Sequence, residues 1–405
     1  MKIGIYGGSF NPPHLGHFVA AVYAAKTLGL EKLFFIPAGI PPHKKLADGS
    51  PENAQRLAMV RAMAEATGYE CGIDASALDI EMTREGKSYT VDTLRALRAQ
   101  YPDDELWLLM GTDMFLSFQN WYCPGDILAM AGLCAFGRSE TDGEALFAPQ
   151  RAFLQQRFPG CRITTLVVPG LVDISSTKLR EALPYGGYDC YLLPQVYGYI
   201  LREKLYGTNF DLTRLSEREL RIVAQSFLKA KRIPHVLGTE KTAAALAEKY
   251  GADVHKARVA ALLHDCTKRL TLDEQLSLAV QYNVALDEVE RVTLKLTHAK
   301  TGAALARALF GVDDEVYGAI LWHTTGRPDM TLLEKILYLA DYIEPTRDFP
   351  GVDALREAVW RDLDEGLRMG LSMTVDEMNE LGAPIHENTL AALRFLRGNM
   401  DESDT

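Results

Sequence analysis

The chain has 405 residues, 47% hydrophobic and 24% charged, an ordinary globular composition that is too long for one core, so two or three domains are expected. A formal net charge of −11 argues against a broad nucleic-acid surface, while small anionic ligands remain open to local basic sites. No run of about 18 apolar residues occurs, the N-terminus lacks the charged-then-apolar form of a signal peptide, and the cysteines are scattered without a C-x-x-C pair. A cytoplasmic protein without membrane span, disulfide framework or zinc ribbon is expected.

From residue 1 to about 205, strand-like runs at 2–6, 32–36, 106–110, 133–136 and 163–168 alternate with helical patterns. That order predicts a parallel sheet covered on both faces, an α/β Rossmann-like doubly wound fold whose ligands gather beyond the carboxyl ends of the strands. The first run leads into Gly7-Gly8-Ser9-Phe10-Asn11-Pro12-Pro13-His14-Leu15-Gly16-His17. After it Leu15, Phe18, Val19, Val22 and Tyr23 recur at helical spacing, as one apolar face. The turn therefore sits at a helix start, where backbone N–H groups attract anions and glycines permit close approach. His14 and His17, three apart, are placed to meet one triphosphate together.

The second run ends in Pro37-Ala38-Gly39-Ile40-Pro41-Pro42-His43-Lys44, a rigid turn closing on a cation. Ser88-Tyr89-Thr90 precedes a helix in which Val91, Leu94 and Leu97 share a side, with Thr90 expected as its N-cap. Gly111-Thr112-Asp113 follows the third run, and Trp121-Tyr122 offers either a stacking face for a cationic ring or core packing. Ile174-Ser175-Ser176-Thr177-Lys178-Leu179-Arg180 reads as a second helix N-terminus.

Residues 7–17 match every fixed position of the G-x-F-x-P-x-H-x-G-H signature, and so resemble nucleotidyltransferases of the HxGH superfamily. The P-P-H-K, S-Y-T, G-x-D, W-Y and I-S-S-T-x-x-R elements more narrowly resemble bacterial nicotinate mononucleotide adenylyltransferases. The resemblance implies in-line transfer of AMP from ATP, carried with Mg²⁺, to nicotinate mononucleotide, giving nicotinate adenine dinucleotide and pyrophosphate. It implies ATP contacts at Gly7, Gly8, Ser9, Phe10, His17, Gly111, Asp113, Ser175, Ser176, Thr177 and Arg180, and mononucleotide contacts at Lys44, Thr90, Trp121 and Tyr122. His14, His17, Lys44 and Arg180 would neutralise the charge that develops on phosphate. Another phosphorylated acceptor is the alternative within the superfamily.

Near 202–214 the alternation ends, with a boundary expected at 206–212, so that residues 1–206 form one domain, 207–212 a linker and 213–400 a helical bundle, with a frayed tail at 401–405. Ala243, Leu246 and Ala247, then Val259, Ala260, Leu262 and Leu263, trace apolar helix faces. Among them lie His235, His264, Asp265, His298, His323 and Asp341. An unpaired carboxylate inside the apolar run around Asp341 would be costly, and metal coordination would remove the cost. Imidazole and carboxylate ligands suit iron, manganese or zinc, and a shared carboxylate is able to bridge two ions.

This spacing resembles the HD-domain metal-dependent phosphohydrolases over residues 214–397, and the strings around His264-Asp265, His323 and Asp341 resemble the YqeK-type branch. The resemblance implies symmetrical hydrolysis of diadenosine tetraphosphate to ADP at a di-iron centre. It puts His235, His264, Asp265 and Asp341 at one metal and His298 and His323 at the second, with Lys268, Arg327 and Arg347 as phosphate contacts. His255 and His386 match no motif and read as ordinary surface or helix histidines. The partners expected are small nucleotides, with neither nucleic acid nor membrane; a homo-oligomer and a purely nucleotide-sensing second half stay open.

Overall fold

The computed structural model describes residues 1–39, 46–137, 143–169, 174–187 and 189–403, with side chains to residue 398. Lys44 lies outside the described residues. The chain divides into two compact units, Met1–Phe210 and Asp211–Thr405.

The first unit is built on a six-stranded sheet, all pairings parallel, with β1 (Lys2–Gly8), β2 (Lys32–Pro37), β3 (Asp74–Ala77), β4 (Glu105–Gly111), β5 (Ala131–Phe136) and β6 (Ile163–Leu166) in the order β3-β2-β1-β4-β5-β6. Strand order reverses between β1 and β4, so the carboxyl ends of these two open a crevice. Helices α1 (Leu15–Leu28), α2 (Asn53–Cys71), α3 (Thr90–Gln100), α4 (Thr112–Leu116), α5 (Pro124–Met130), α6 (Glu144–Arg157), α7 (Ser176–Ala182) and α8 (Pro194–Arg202) complete the unit. Central strands such as Leu33–Ile36 and Leu106–Met110 are continuously apolar because both sheet faces are covered.

Three sequence expectations change here. Asp74-Ala75-Ser76-Ala77 forms an edge strand that carries no apolar run to announce it. The face of α1 that is buried is Ala20, Ala21, Ala24 and Ala25, not Leu15, Phe18, Val19, Val22 and Tyr23, which are half-buried. Small side chains let the helix backbone approach its neighbours, and the larger ones fill the flanks. Tyr89, not Thr90, occupies the N-cap of α3; Thr90 is its first helical residue, while Val91, Leu94 and Leu97 are buried together.

The second unit is helical throughout: α9 (Glu217–Gln225), α10 (Ile233–Tyr250), α11 (Val254–Leu263), α12 (Leu272–Gln281), α13 (Leu294–Phe310), α14 (Asp314–Trp322), α15 (Leu332–Ile343), α16 (Val352–Arg361), α17 (Leu363–Glu380) and α18 (Glu387–Ser403). Ala243, Leu246 and Ala247 of α10 and Ala260, Leu262 and Leu263 of α11 are buried as expected, with Val259 at the margin. Ser216, Thr271 and Thr331 start α9, α12 and α15 with capping boxes closed by Glu219, Glu274 and Glu334. Helix α18 continues through the first part of the expected frayed tail, and residues 404–405 lie outside the described residues. No described helix is long and apolar enough to cross a membrane.

Candidate functional sites

A cavity of about 470 Å³ occupies the β1/β4 crevice of the first unit. Gly7, Gly8 and Ser9 reach it from the end of β1, Gly111 and Asp113 from the end of β4, and His17, Thr90, Trp121, Tyr122 and Arg180 close it. Phe10 does not line it: its ring is fully buried against Tyr6, Phe35 and His17, with the His17 ring centroid 5.0 Å away. Phe10 holds a left-handed φ of +44°, and burial of its ring offsets that cost of about 1–2 kcal/mol. A side chain at Gly8 would put its Cβ 3.1 Å from the Phe10 ring, a tight contact that glycine avoids.

His14 is the N-cap residue of α1, and its ring lies 3.7 Å from that of His17, centroid to centroid. The backbone N–H of His14 donates to His17 Nδ1 at 3.2 Å, which leaves Nε2 as the proton-bearing nitrogen of the neutral ring. Arg180 donates to the carbonyl of Asn11 at 2.7 Å, and Ser176 Oγ to that of Pro12 at 2.9 Å. Ser175 caps α7 by accepting from Lys178 N–H, and Thr177 Oγ1 accepts from Arg180. The expected second phosphate element thus meets the first at the Asn11–Pro12 turn. Tyr206 adds a buried hydroxyl bond of 2.7 Å to Asn11 Oδ1.

Tyr122 packs on Tyr89 and Trp121 on Phe118, so these aromatics are both packed and cavity-lining. Glu81 also lines the cavity and accepts from Thr93 Oγ1 at 2.8 Å; burial raises its carboxyl pKa above the usual range, against that hydrogen bond and Arg84. Sequence reading missed it because Glu81 stands in a polar turn without motif context.

In the second unit His235 of α10, His264 and Asp265 at the end of α11, His298 of α13, His323 at the end of α14 and Asp341 of α15 converge. His264 Nδ1 lies 2.6 Å from the carbonyl of Ala261, and His323 Nδ1 2.7 Å from that of Ile320. Each ring spends its Nδ1–H on an unfilled carbonyl in the last turn of its own helix, which turns Nε2 inward. His235 does the same with a carboxylate: Nδ1 lies 2.9 Å from Glu344 Oε1, and Nε2 2.8 Å from Asp341 Oδ1.

Ligand atoms of His235, His264 and Asp341 lie within 4.8 Å of one another, as do those of His264, Asp265 and His323. Of the set expected at one metal, His235, His264 and Asp341 recur as one group, and Asp265 stands with His264 and His323 in the other, the two groups sharing His264. Asp265 Oδ2 is 3.4 Å from His264 and its Oδ1 3.1 Å from His298, because the residue follows a helix end and its oxygens face both ways. His298 Nε2 stands 3.2 Å from His323 Nε2.

These residues fit metal ions. Among the described residues, the buried His264 Nε2 has no hydrogen-bond partner, though both carboxylates are within 3.8 Å, as expected of a lone pair aimed at a cation. Burial lowers the pKa of His298 despite Asp265, and that of His323 well below its usual value, with His264 adding to the effect. Both rings stay neutral, as ligands must. Although burial opposes ionisation, His264, His298 and Lys268 hold Asp265 well below the ordinary carboxylate range; His235, His264 and Arg347 do the same for Asp341.

Two members escaped the sequence reading. Arg232 donates from Nε to Asp265 Oδ2, and it had the look of a surface residue beside Lys229 and Lys231. Glu344, fully buried, orients His235 and accepts from Thr346; it lies three residues after Asp341, a helical spacing that signals a shared face. A Cβ at Gly238 would stand 2.5 Å from a Glu344 oxygen, so glycine makes room for the carboxylate.

Lys268 approaches Asp265 at 3.3 Å and Arg347 donates to Asp341 at 2.7 Å, whereas Arg327 is held by Glu334 and the carbonyl of Pro328. His255 is exposed, but His386 is buried, 2.9 Å from Asp287 and 3.5 Å from Glu290, and pins the start of α18 to the loop before α13.

A cytidylyltransferase-like family model matches residues 5–182, and an HD-domain model matches residues 232–346. The chain is 34% identical over 209 residues to the probable nicotinate-nucleotide adenylyltransferase of Exiguobacterium sibiricum, 51% of this chain and 100% of that one. It is 41% identical over 170 residues to the symmetrical bis(5′-nucleosyl)-tetraphosphatase of Halalkalibacterium halodurans, 42% of this chain and 90% of that one. A crystal structure of an HD-superfamily hydrolase from Clostridium acetobutylicum is 39% identical, covering 46% of this chain and 98% of that one at a TM-score of 0.44.

Proposed function

Because the chain belongs to the nicotinate-nucleotide adenylyltransferase family in its first half and to the HD-domain symmetrical tetraphosphatase family in its second, we propose that it is a bifunctional nucleotide enzyme. The first unit transfers AMP from ATP to nicotinate mononucleotide; the second hydrolyses diadenosine tetraphosphate to two ADP.

The first reading is carried by the cavity at the strand-order reversal, where glycine turns, the His17 imidazole and Arg180 surround a space of nucleotide size beside Trp121 and Tyr122. A 5′-phosphate oxygen of the acceptor forms a bond to the α-phosphorus of ATP, and the bond to pyrophosphate breaks. No protein nucleophile is required. The chain positions both substrates and opposes negative charge: the Nε2–H of His17 donates to a non-bridging oxygen, and Arg180, Lys44 and Mg²⁺ brought with ATP share the rest. His14 supports His17. Ser175, Ser176 and Thr177 serve the phosphates from the start of α7, and Gly111 and Asp113 hold the adenosine side. Trp121, Tyr122 and Thr90 hold the pyridine ribotide.

The second reading is carried by the convergence of four imidazoles and two carboxylates from five helices or helix ends. Iron fits the donor set, with manganese or zinc as the chemical alternatives. Bound ions supply Lewis-acid stabilisation of phosphate charge and raise the acidity of water there. Asp265, with an oxygen towards each group of histidines, suits a bridging position. Lys268 and Arg347 hold phosphate oxygens while water adds to one central phosphorus and ADP leaves.

Product identification from the full chain tests both reactions: ATP and Mg²⁺ with nicotinate or nicotinamide mononucleotide, and separately diadenosine tetraphosphate with Fe²⁺. Preference for nicotinamide mononucleotide would overturn the acceptor; binding of the tetraphosphate without ADP release would make the second unit a sensor.

A further inference from the structure

Arg56, on α2, belongs to none of the motifs above, yet its side chain is completely buried. Its Nη1 donates to the carbonyls of Ser9 at 3.1 Å and Ala38 at 2.9 Å, and its Nη2 to Asn53 Oδ1 at 2.7 Å and the carbonyl of Gly39 at 3.5 Å. Every one of these acceptors is a neutral oxygen. Nε has no partner, and no carboxylate pairs with the guanidinium among the described residues. Burial lowers its pKa from the usual guanidinium value, with the nearby Tyr206 hydroxyl opposing.

Enclosing a cation without a counter-ion costs several kcal/mol, and a fold that needed only a tether between two turns would meet it more cheaply with a neutral donor. The position of the charge accounts for it. Ser9 and Ala38, the two turns that Arg56 holds, both line the cavity of the first unit. The guanidinium thus lies directly behind the backbone that a phosphate chain would approach.

We propose that Arg56 is the resident half of a buried ion pair whose other half is the phosphate chain of the bound nucleotide. It acts through charge and through the Ser9 and Ala38 turns without touching the ligand, and is therefore a positioning residue. This rests on reading the cavity as a nucleotide site, but not on the identity of the acceptor.

The test compares equilibrium binding of a non-hydrolysable ATP analogue and of adenosine to the full chain as wild type, Arg56→Lys, Arg56→Gln and Arg56→Met. A full charge acting across a partly buried gap of several ångströms predicts that the neutral variants weaken the analogue roughly tenfold or more while adenosine binds as before. Arg56→Lys should keep most of the preference for the phosphorylated probe despite losing part of the bonding geometry. Equal weakening of both probes, or loss of the preference in Arg56→Lys as large as in Arg56→Gln, overturns the assignment. If neither neutral variant folds, Arg56→Lys is read against wild type: weakening of both probes alike, or loss of the preference for the analogue, overturns the assignment, and a kept preference at weaker binding of the analogue supports it. A wild-type chain that binds neither probe refutes the nucleotide reading itself, an outcome distinct from a wild type that prefers the analogue and variants that keep that preference.

Discussion

In the first unit many of the groups facing the cavity belong to turns after strands, and those turns are held by side chains: Arg180, itself facing the cavity, and Tyr206 on Asn11, Ser176 on Pro12, and the buried Arg56 on Ser9 and Ala38. In the second, the groups that converge are ionisable side chains on helices and helix ends, with the outer nitrogens of His235, His264 and His323 already engaged. One site is shaped backbone in which charge is scarce; the other is concentrated buried charge for which metal ions are the natural complement. The difference predicts unlike responses to mutation and to pH.

The largest effect is expected at Asp265→Ala, which removes the carboxylate facing both groups of histidines. Metal content measured by mass spectrometry should fall, and tetraphosphate hydrolysis should drop by on the order of 10³ or more. Adenylyl transfer by the same protein should be untouched. A joint loss of both activities would break the picture of two separately built sites.

Next comes His17→Ala, where kcat for adenylyl transfer should fall about 10²- to 10³-fold with little change in KM, since the Nε2–H matters most as charge develops. A change confined to KM would recast His17 as a simple binding group. Glu344→Gln should weaken Mn²⁺ binding about 10- to 100-fold by chelator competition, because the neutral amide makes His235 a poorer donor. Unchanged affinity would reduce Glu344 to packing.

How legible these sites were follows from the same contrast. The buried parallel strands announced themselves as apolar runs, and the edge strand Asp74–Ala77 did not, having no apolar side chains beyond alanine. The six metal-cluster residues stood out because charged and imidazole groups interrupt apolar helices. Which histidine each Asp265 oxygen meets was not legible, since it depends on the direction in which α11 ends. Arg56 and Arg232 were invisible for a related reason: they act on groups 18 to 47 positions away in the chain and carry no local pattern, whereas Glu344 had one in its helical spacing from Asp341. Thr90 looked like a cap on composition alone, and the backbone turned helical one residue earlier than that reading required.

The second unit should also lose stability as the solution is acidified. His298 and His323 have folded-state pKa values below the ordinary 6.5, so the unfolded chain binds more protons than the folded one between those values. Stability is then fully present above about pH 6.5 and declines below it, by up to about 1.4 kcal/mol per pH unit for each histidine. The lowered Asp265 and Asp341 add a further loss only below about pH 4, where their unfolded forms take up protons and their folded forms do not. Metal-free protein melted across pH 5 to about 8 should show this slope in the transition of the helical unit. His323→Gln should reduce it, and a flat profile would contradict the neutral-imidazole assignment.

The smallest effect is expected at Tyr206→Phe, and it sharpens the contrast from the other side. Tyr206 sits at a left-handed φ of +55°, with its ring buried and its hydroxyl 2.7 Å from Asn11 Oδ1. Burial raises the phenol pKa above its usual value of 10, so the group remains a neutral donor through the working range. Removing it strands a buried amide oxygen, at a cost of about 1–2 kcal/mol and a few degrees in the transition of the sheet-based unit. Because Asn11 also bonds Arg180 and Ser50, the turn should loosen without collapsing, and kcat/KM for ATP should fall severalfold. No proton is exchanged, so the difference between wild type and variant should stay level between roughly pH 6 and 9. A difference that followed pH would mean that the turn is held by a titrating group, and the two sites would then share the very property that is expected to separate them.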